Sequence, residues 1–199
     1  MRKLVVTMAA ATALLGAASG VSAQERSSTR GVLLGAHLSA TALQLDEDGA
    51  GDAERGGGLG ITLGYGFTDR FSLLLRLAGA NISYAGDADG SYGLGDVDLG
   101  GRYSFGSTAA ALRPYAELGV SATAVTDTFE GEDVTFSGGG VFVGGGLEYF
   151  FTRKVALDAG LVLGKGKFTT VDVSGTTSDD FEDLDFTTTR INLGVSFRL

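Results

Sequence analysis

One short stretch of the chain alternates strictly between large apolar residues and small ones. The large residues take every second position, namely Leu59, Ile61, Leu63, Tyr65 and Phe67. The positions between them hold Gly60, Thr62, Gly64 and Gly66. A period of two predicts a β-strand with one bulky apolar face and one small or polar face. The two faces of the resulting sheet therefore suit two different surroundings.

The same alternation recurs eight times along the chain. The predicted strands cover residues 32–42, 58–67, 71–84, 92–105, 112–126, 139–151, 155–168 and 187–199. Three connections are short turns, at residues 68–70, 106–110 and 152–154, and the other four are longer, at residues 44–57, 85–91, 127–138 and 169–186. Eight strands with short turns at one end and long loops at the other predict an all-β, antiparallel up-and-down barrel.

The direction in which the apolar face points separates two kinds of barrel. A soluble eight-stranded barrel of the lipocalin kind would bury every apolar stripe and leave an exterior of Gly, Thr and Ser. A membrane barrel turns the apolar stripes toward lipid and keeps small and polar residues in its lumen. The second arrangement suits both faces, so the sequence predicts a transmembrane barrel. Aromatic residues flank the short turns as an interfacial girdle would, namely Phe67, Phe71, Tyr103, Phe105, Tyr149 and Phe151.

The beginning of the chain has the pattern of an export signal. Arg2 and Lys3 precede an apolar run that ends near Ala18, and small residues follow up to Ala23. We therefore expect a cleaved signal peptide at residues 1–23, a short periplasmic segment at 24–31 and the barrel at 32–199. No later segment approaches the roughly 20 continuous apolar residues of a membrane-spanning helix.

Charge and cysteine content exclude several classes of function. The net charge of −9 argues against a nucleic-acid-binding protein, and the lack of cysteine excludes disulfides and thiolate metal sites. Of the 24 acidic residues, 17 fall in the four long connections. The long-loop end of the barrel is therefore predicted to be acidic.

At this point the chain resembles the small outer-membrane β-barrels of Gram-negative bacteria: the OmpA transmembrane domain, OmpX and opacity-like proteins. The resemblance rests on the turn at residues 66–73, the strand at 112–120 and the C-terminal strand. In these barrels the last strand carries a signal for the assembly machinery, and the matching positions here are Asn192, Gly194, Phe197 and Leu199.

The resemblance implies a bacterial outer-membrane location, reached by export through the periplasm. It also implies contact with lipopolysaccharide, periplasmic chaperones and the barrel-assembly machinery, and a monomeric state. The peptidoglycan-binding periplasmic domain of full-length OmpA is not expected, because the sequence ends at the last strand.

Charged residues interrupt the small-residue faces, and strand parity points them into the lumen. They are Arg76, Asp96, Asp98, Arg102, Arg113, Glu117, Glu148, Asp158, Arg190 and Arg198. The short turns place Arg102 opposite Glu117, and Glu148 opposite Asp158. Two facing carboxylates need a cation or a shared proton, and Arg76 and Arg102 are the available cations. The set predicts a structural salt-bridge network, with a gated ion or proton path as the alternative.

Two further patterns leave alternatives open. Interior glycines, Gly60 and Gly146 among them, either make room for Arg side chains and strand coiling or line a thin water channel or ligand cavity. His37 and Ser39 have a spacing similar to that of the outer-membrane lipid A deacylase. However, His37 is the only histidine, and parity turns the pair toward the lumen.

The acidic runs at residues 46–49 and 87–90 do not fit the register of an EF-hand, which leaves weak divalent-cation binding open. We predict no catalytic residue, cofactor site or metal site. The expected function is a structural, envelope-integrity or surface-interaction role through acidic extracellular loops. The alternatives are a narrow porin-like channel and, more remotely, a surface lipid-modifying enzyme.

Overall fold

The described part of the protein folds into nine β-strands. The computed structural model describes residues 29–45, 53–84, 90–129, 132–173, 175–178 and 183–199. The strands are β1 (Gly31–Leu45), β2 (Glu54–Gly66), β3 (Phe71–Ser83), β4 (Ser91–Ser104), β5 (Leu112–Phe129), β6 (Glu132–Phe150), β7 (Val155–Val173), β8 (Thr176–Ser178) and β9 (Leu184–Arg198). The signal peptide predicted at residues 1–23 lies outside the described residues. No helix among the described residues is long and apolar enough to cross a membrane.

Eight of these strands close into one barrel. Each strand from β1 to β7 pairs antiparallel with the next, and β9 closes the ring by pairing with both β7 and β1. The three-residue strand β8 pairs with the end of β7 and extends one hairpin. The prediction of an eight-stranded, antiparallel up-and-down barrel is confirmed. Closure leaves no unpaired sheet edge along the barrel wall.

The exterior of the barrel is apolar along a continuous band. Leu59 and Leu118 are each 69% exposed, and the same face of every barrel strand carries exposed Leu, Val, Ile or aromatic side chains. The stretches from Val97 to Phe105 and from Ile191 to Leu199 each cover about nine residues, which matches the length a tilted strand needs to cross a bilayer. The soluble arrangement, with these stripes inside, is therefore wrong.

The aromatic girdle lies at the short-turn end, as predicted. Neighbouring rings there contact each other, with centroid distances of 6.0 Å for Phe67 and Phe71 and 5.1 Å for Tyr103 and Phe105. Tyr149 and Phe151 make a third pair, with an edge-to-face arrangement at 5.0 Å. These rings mark one boundary of the apolar band.

At the long-loop end the strands run further than predicted. β5 continues to Phe129 and β6 begins at Glu132, where the sequence pattern placed a loop at residues 127–138. β7 likewise continues to Val173 instead of ending at residue 168. Within these extensions Phe136 packs against buried apolar side chains inside the barrel, so the outward apolar stripe ends before them. The search for outward apolar stripes therefore missed them.

Inside and outside exchange polarity at this long-loop end. The lumen holds a buried apolar cluster, formed by Leu43, Ile82, Tyr92, Leu94, Phe168 and Phe186. The exterior positions at the same level are exposed polar residues, including Arg55, Ser83, Ser91, Thr126 and Lys167. The barrel thus changes from an apolar exterior to the apolar interior of a water-soluble protein. This change marks the second boundary of the apolar band.

An arginine placed within the apolar band is expected to destabilise the protein strongly. Leu99 is exposed on the exterior face of β4, between Leu75 and Val120 of the neighbouring strands. For Leu99→Arg we expect a loss of roughly 2–4 kcal/mol in the free energy of unfolding in lipid vesicles. The control is Ser91→Arg, on the exterior of the same strand beyond the band, with an expected cost of about 0–1 kcal/mol. Equal costs for the two variants would contradict the position of the band.

Candidate functional site

The charged residues of the lumen form one connected chain of ion pairs. Acidic and basic groups alternate along it in the order Asp96, Arg190, Asp98, Arg76, Glu117, Arg102, Glu148 and Arg198. Asp158 branches from Arg102. This ion-pair chain crosses the lumen repeatedly, because its members come from β3, β4, β5, β6, β7 and β9. It brings together nine of the ten lumen charges that the sequence pattern named, and Arg113 is the one that is not part of it.

Arg102 is the centre of this ion-pair chain. It lies opposite Glu117 in the β4–β5 register and donates to it from Nε at 2.6 Å. Its Nη1 donates to Glu148 at 3.0 Å and to Asp158 at 2.8 Å. Glu148 and Asp158 face each other across β6 and β7, and Arg102 is the cation that the two carboxylates share. The guanidinium also stacks on the ring of Tyr115, 3.8 Å from its centroid.

Arg76 and Arg190 lie in the part of the ion-pair chain that is nearest the long loops. Arg76 contacts Glu117 at 2.9 Å and Asp98 at 3.4 Å. Arg190 reaches the same Asp98 at 2.6 Å and Asp96 at 3.3 Å. Every carboxylate in this part lies within salt-bridge distance of at least one guanidinium. This arrangement offsets the cost of desolvating the charges.

The short-turn end of the lumen is filled by Arg198, Arg113 and the N-terminal residues of the described chain. Arg198 donates to Glu148 at 2.6 Å and to the carbonyl of Thr29 at 3.3 Å. Thr29 is fully buried, and its hydroxyl donates to the carbonyl of Thr68 at 3.0 Å. Arg113 and Arg198 lie 5.9 and 5.7 Å from the ring of Phe150. These contacts close the lumen at this end.

At the long-loop end, Tyr92 of the apolar cluster and Tyr84, which packs against the cluster, donate hydrogen bonds to carboxylates. Tyr92 donates to Glu54 at 2.6 Å, and Tyr84, just beyond the end of β3, donates to Asp127. The two rings lie 5.2 Å apart. Burial, the hydrogen bond to Asp127 and nearby negative charge raise the pKa of the Tyr84 phenol to about 12. Tyr84 therefore remains a proton donor at neutral pH.

Sequence reasoning missed Tyr115 and the apolar cluster. Parity puts Tyr115 inside the barrel, where it donates to Asp158 at 2.9 Å. The signal for the cluster was also present, since Ile82, Phe168 and Phe186 all fall on lumen-facing positions. It was missed because only charged and small residues were sought on that face.

The interior glycines mainly make room for rings instead of arginines. A Cβ added to Gly100 would lie 2.6 Å from the ring of Phe142, and one added to Gly166 would lie 2.6 Å from the ring of Phe186. Gly146 and Gly160 adjoin Tyr115 in the same way. The space that these glycines leave is filled by aromatic side chains, which argues against a continuous water channel.

His37 and Ser39 both face the lumen. The imidazole of His37 lies against Gly60, and Ser39 is buried. Within the described residues, no group of three or more His, Cys, Asp or Glu side chains is placed to hold a metal ion. The acidic run at 46–49 and Asp87 and Asp89 lie outside those residues.

The four positions matched to the assembly signal lie at the end of the barrel wall. Asn192 points into the lumen and Gly194 adjoins His37, whereas Phe197 and Leu199 are exposed on the exterior. Recognition of these positions by assembly machinery stays a prediction.

A comparison with protein families matches nearly the whole chain. Residues 10–198 match the model described as the outer membrane protein beta-barrel domain. A comparison with curated proteins found no match.

Solved structures with the same architecture come from several bacteria. The crystal structure of Neisserial surface protein A aligns with a TM-score of 0.61 at 17% identity, covering 83% of this chain and 97% of that protein. OprG from Pseudomonas aeruginosa aligns with a TM-score of 0.56 at 16% identity, covering 87% and 98%. Ail of Yersinia pestis aligns with a TM-score of 0.51 at 15% identity, covering 84% and 99%. At these identities the likeness concerns the fold.

Proposed function

The chain belongs to the family of outer membrane protein β-barrel domains, and we propose that it is a sealed, non-enzymatic barrel. It lies in the bacterial outer membrane. In this proposal it serves envelope integrity and surface contacts through its acidic outer end. The observation that carries the proposal is the packing of the lumen by the apolar cluster, the ion-pair chain and the contacts of Thr29 and Arg198.

Three features support a sealed lumen. The apolar cluster fills the outer end, the ion-pair chain fills the middle, and Thr29 with Arg113 and Arg198 fills the short-turn end. The lumen charges balance, with five guanidiniums and five carboxylates, so the network needs no mobile ion for neutrality. A permeating ion would have to separate these pairs at a cost of several kcal/mol.

The outer end provides the surface through which a sealed barrel can act. Acidic side chains are exposed there on the β5–β6 hairpin and before β9, including Glu132, Asp133 and Asp183. Short turns face the periplasm in this class of barrel, which places these acids outside the cell. The partners we propose are lipopolysaccharide in the membrane and, during biogenesis, periplasmic chaperones and the barrel-assembly machinery. The proposed oligomeric state is a monomer.

An enzymatic role is not part of the proposal. His37 is the only histidine of the chain and lies inside the barrel. A lipid substrate would approach from the opposite side of the wall. A base and a nucleophile must lie within reach of the reacting group.

Conductance measurements test the sealed lumen. The folded protein, reconstituted into planar bilayers, is expected to produce no discrete conductance steps, because side chains of the described residues fill the middle and both ends of the lumen. An open outer-membrane porin in the same bilayers is the positive control. Reproducible steps whose size rises with salt concentration would contradict the proposal and favour the narrow channel.

A further inference from the structure

Two short turns of the barrel have the same backbone structure. One covers residues 67–71 between β2 and β3, and the other covers residues 151–155 between β6 and β7. In each turn the first two backbone amides donate to the carbonyl of the fifth residue, at 3.0 and 3.3 Å. The hydroxyl of the second residue, Thr68 or Thr152, accepts from the fourth and fifth amides. The fourth residue of each turn therefore has the same position relative to the barrel wall.

This fourth position carries a cation beside an exterior aromatic residue in both turns. The cation is Arg70 in the first turn and Lys154 in the second, and both are exposed. The carbonyl of each accepts a hydrogen bond at 2.7 Å from the neighbouring strand, β4 for Arg70 and β9 for Lys154. The exterior residue next to this contact is Tyr103 on β4 and Phe197 on β9, each 40% exposed. The Arg70 guanidinium donates to the Tyr103 hydroxyl at 3.4 Å, so it lies on the lipid-facing side.

The whole rim at this end of the barrel is cationic. Among the described residues, the charged side chains that reach solvent here are Arg30, Asp69, Arg70, Arg153 and Lys154. Asp69 is the one acid against four cations, and it pairs with Arg30 at 3.4 Å. A surface with this excess of positive charge attracts anions. The aromatic girdle lies at the same level, which places the rim at the depth of lipid headgroups.

We propose that the two matched turns are binding sites for phospholipid headgroups of the periplasmic leaflet, with a preference for anionic phospholipids. The Arg70 guanidinium and the Lys154 ammonium donate to headgroup phosphate oxygens, in hydrogen bonds that charge strengthens. The exposed aromatic residues beside them pack against the lipid below the headgroup.

The position of the turns around the barrel makes the two sites independent. β4 and β5 separate them on one side, and β9 and β1 separate them on the other. One headgroup cannot bridge that distance, so each turn binds its own lipid. The third short turn, at residues 106–110, lies at the same end but contains no charged residue. It is expected not to bind, and it serves as an internal control.

Nuclear magnetic resonance of the folded protein in lipid nanodiscs tests the sites. The discs contain either phosphatidylcholine alone or an equal mixture with phosphatidylglycerol of the same chain length. Phosphatidylglycerol is expected to shift the amide signals of residues 68–71 and 152–155 and to leave those of residues 106–110 unchanged. Added salt is expected to reduce the shifts, because it screens exposed charges.

Two single variants serve as controls for each other. For Lys154→Gln we expect the affinity for phosphatidylglycerol at residues 152–155 to fall about five-fold, the contribution of one cation near an anionic membrane surface. The affinity at residues 68–71 is expected to stay unchanged, and Arg70→Gln is expected to give the reverse result. Both residues are exposed in turns, and the shift in gel migration on boiling verifies that each variant folds.

Three results would overturn the proposal. The first is the same set of shifts in both kinds of disc, and the second is an equal response of all three short turns. The third is a response of the matched turns to inorganic phosphate or an anionic peptidoglycan fragment, added to phosphatidylcholine discs, without any response to phosphatidylglycerol. This last result would assign the rim to a soluble periplasmic anion instead of a lipid.

Discussion

Replacing Arg102 with alanine is expected to lower the free energy of unfolding by roughly 3–5 kcal/mol. The substitution removes the cation shared by Glu117, Glu148 and Asp158, which lie 2.6–3.0 Å from its guanidinium nitrogens. Glu148 keeps Arg198, and Glu117 keeps Arg76, but no other arginine salt bridge reaches Asp158 among the described residues. The variant therefore leaves facing carboxylates in a lumen where water is scarce.

Urea titration in lipid vesicles, followed by the shift in gel migration on boiling, measures the change. Arg70→Ala is the control, since this exposed arginine lies in a turn and its side chain donates a hydrogen bond to Tyr103, at 3.4 Å. Its expected cost is about 0–1 kcal/mol. Unchanged unfolding of Arg102→Ala together with altered conductance would favour the gated path over the structural network.

A second substitution separates the loss of charge pairing from the loss of packing. Adding Asp158→Asn to the Arg102→Ala variant removes the carboxylate that has no other arginine salt bridge among the described residues. If charge is the cause, the double variant is expected to recover about 1 kcal/mol or more relative to Arg102→Ala. A double variant less stable than Arg102→Ala would assign the effect to packing against Tyr115.

Replacing Phe186 with alanine is the other large expected effect, at roughly 3–5 kcal/mol. Phe186 is 1% exposed, and its ring lies 4.4 Å from that of Phe168. The ring of Phe186 occupies the space beside Gly166, so removal of the ring leaves a void that the wall does not fill. The outer end is also expected to become more sensitive to added protease, because its strands lose the core that holds them together.

Phe105→Ala is the matched control for Phe186→Ala. Phe105 is an aromatic residue on the exterior at the opposite end of the barrel, where its ring pairs with Tyr103. Its expected cost is about 1 kcal/mol. If both variants unfold alike, the apolar cluster is not the stabilising core of the outer end.

The sequence was sufficient to predict the strands of the membrane-embedded part of the barrel and the face that each strand exposes. In lipid every exterior position must be apolar and every backbone group must be paired, so a period-two stripe fixes both the strand and the face that it exposes. Together with the short turn between β4 and β5, this constraint is enough to place Arg102 opposite Glu117. This constraint does not apply at the outer ends of β5 and β7, because water replaces lipid there and inward residues are apolar.

The sequence alone thus determined the number of barrel strands, the lipid-facing stripe, the acidic end and the charged residues that enter the lumen. Only the tertiary structure decided which lumen charges meet. Parity fixes a side chain's direction, but it does not fix which strand lies across the barrel. Asp98 thus pairs with Arg190, 92 residues away, and Arg102 joins Glu148 to Asp158. The filling of the glycine spaces by Phe142 and Phe186 was likewise decided by three-dimensional closure, because it depends on side-chain volumes from strands that the sequence does not place together.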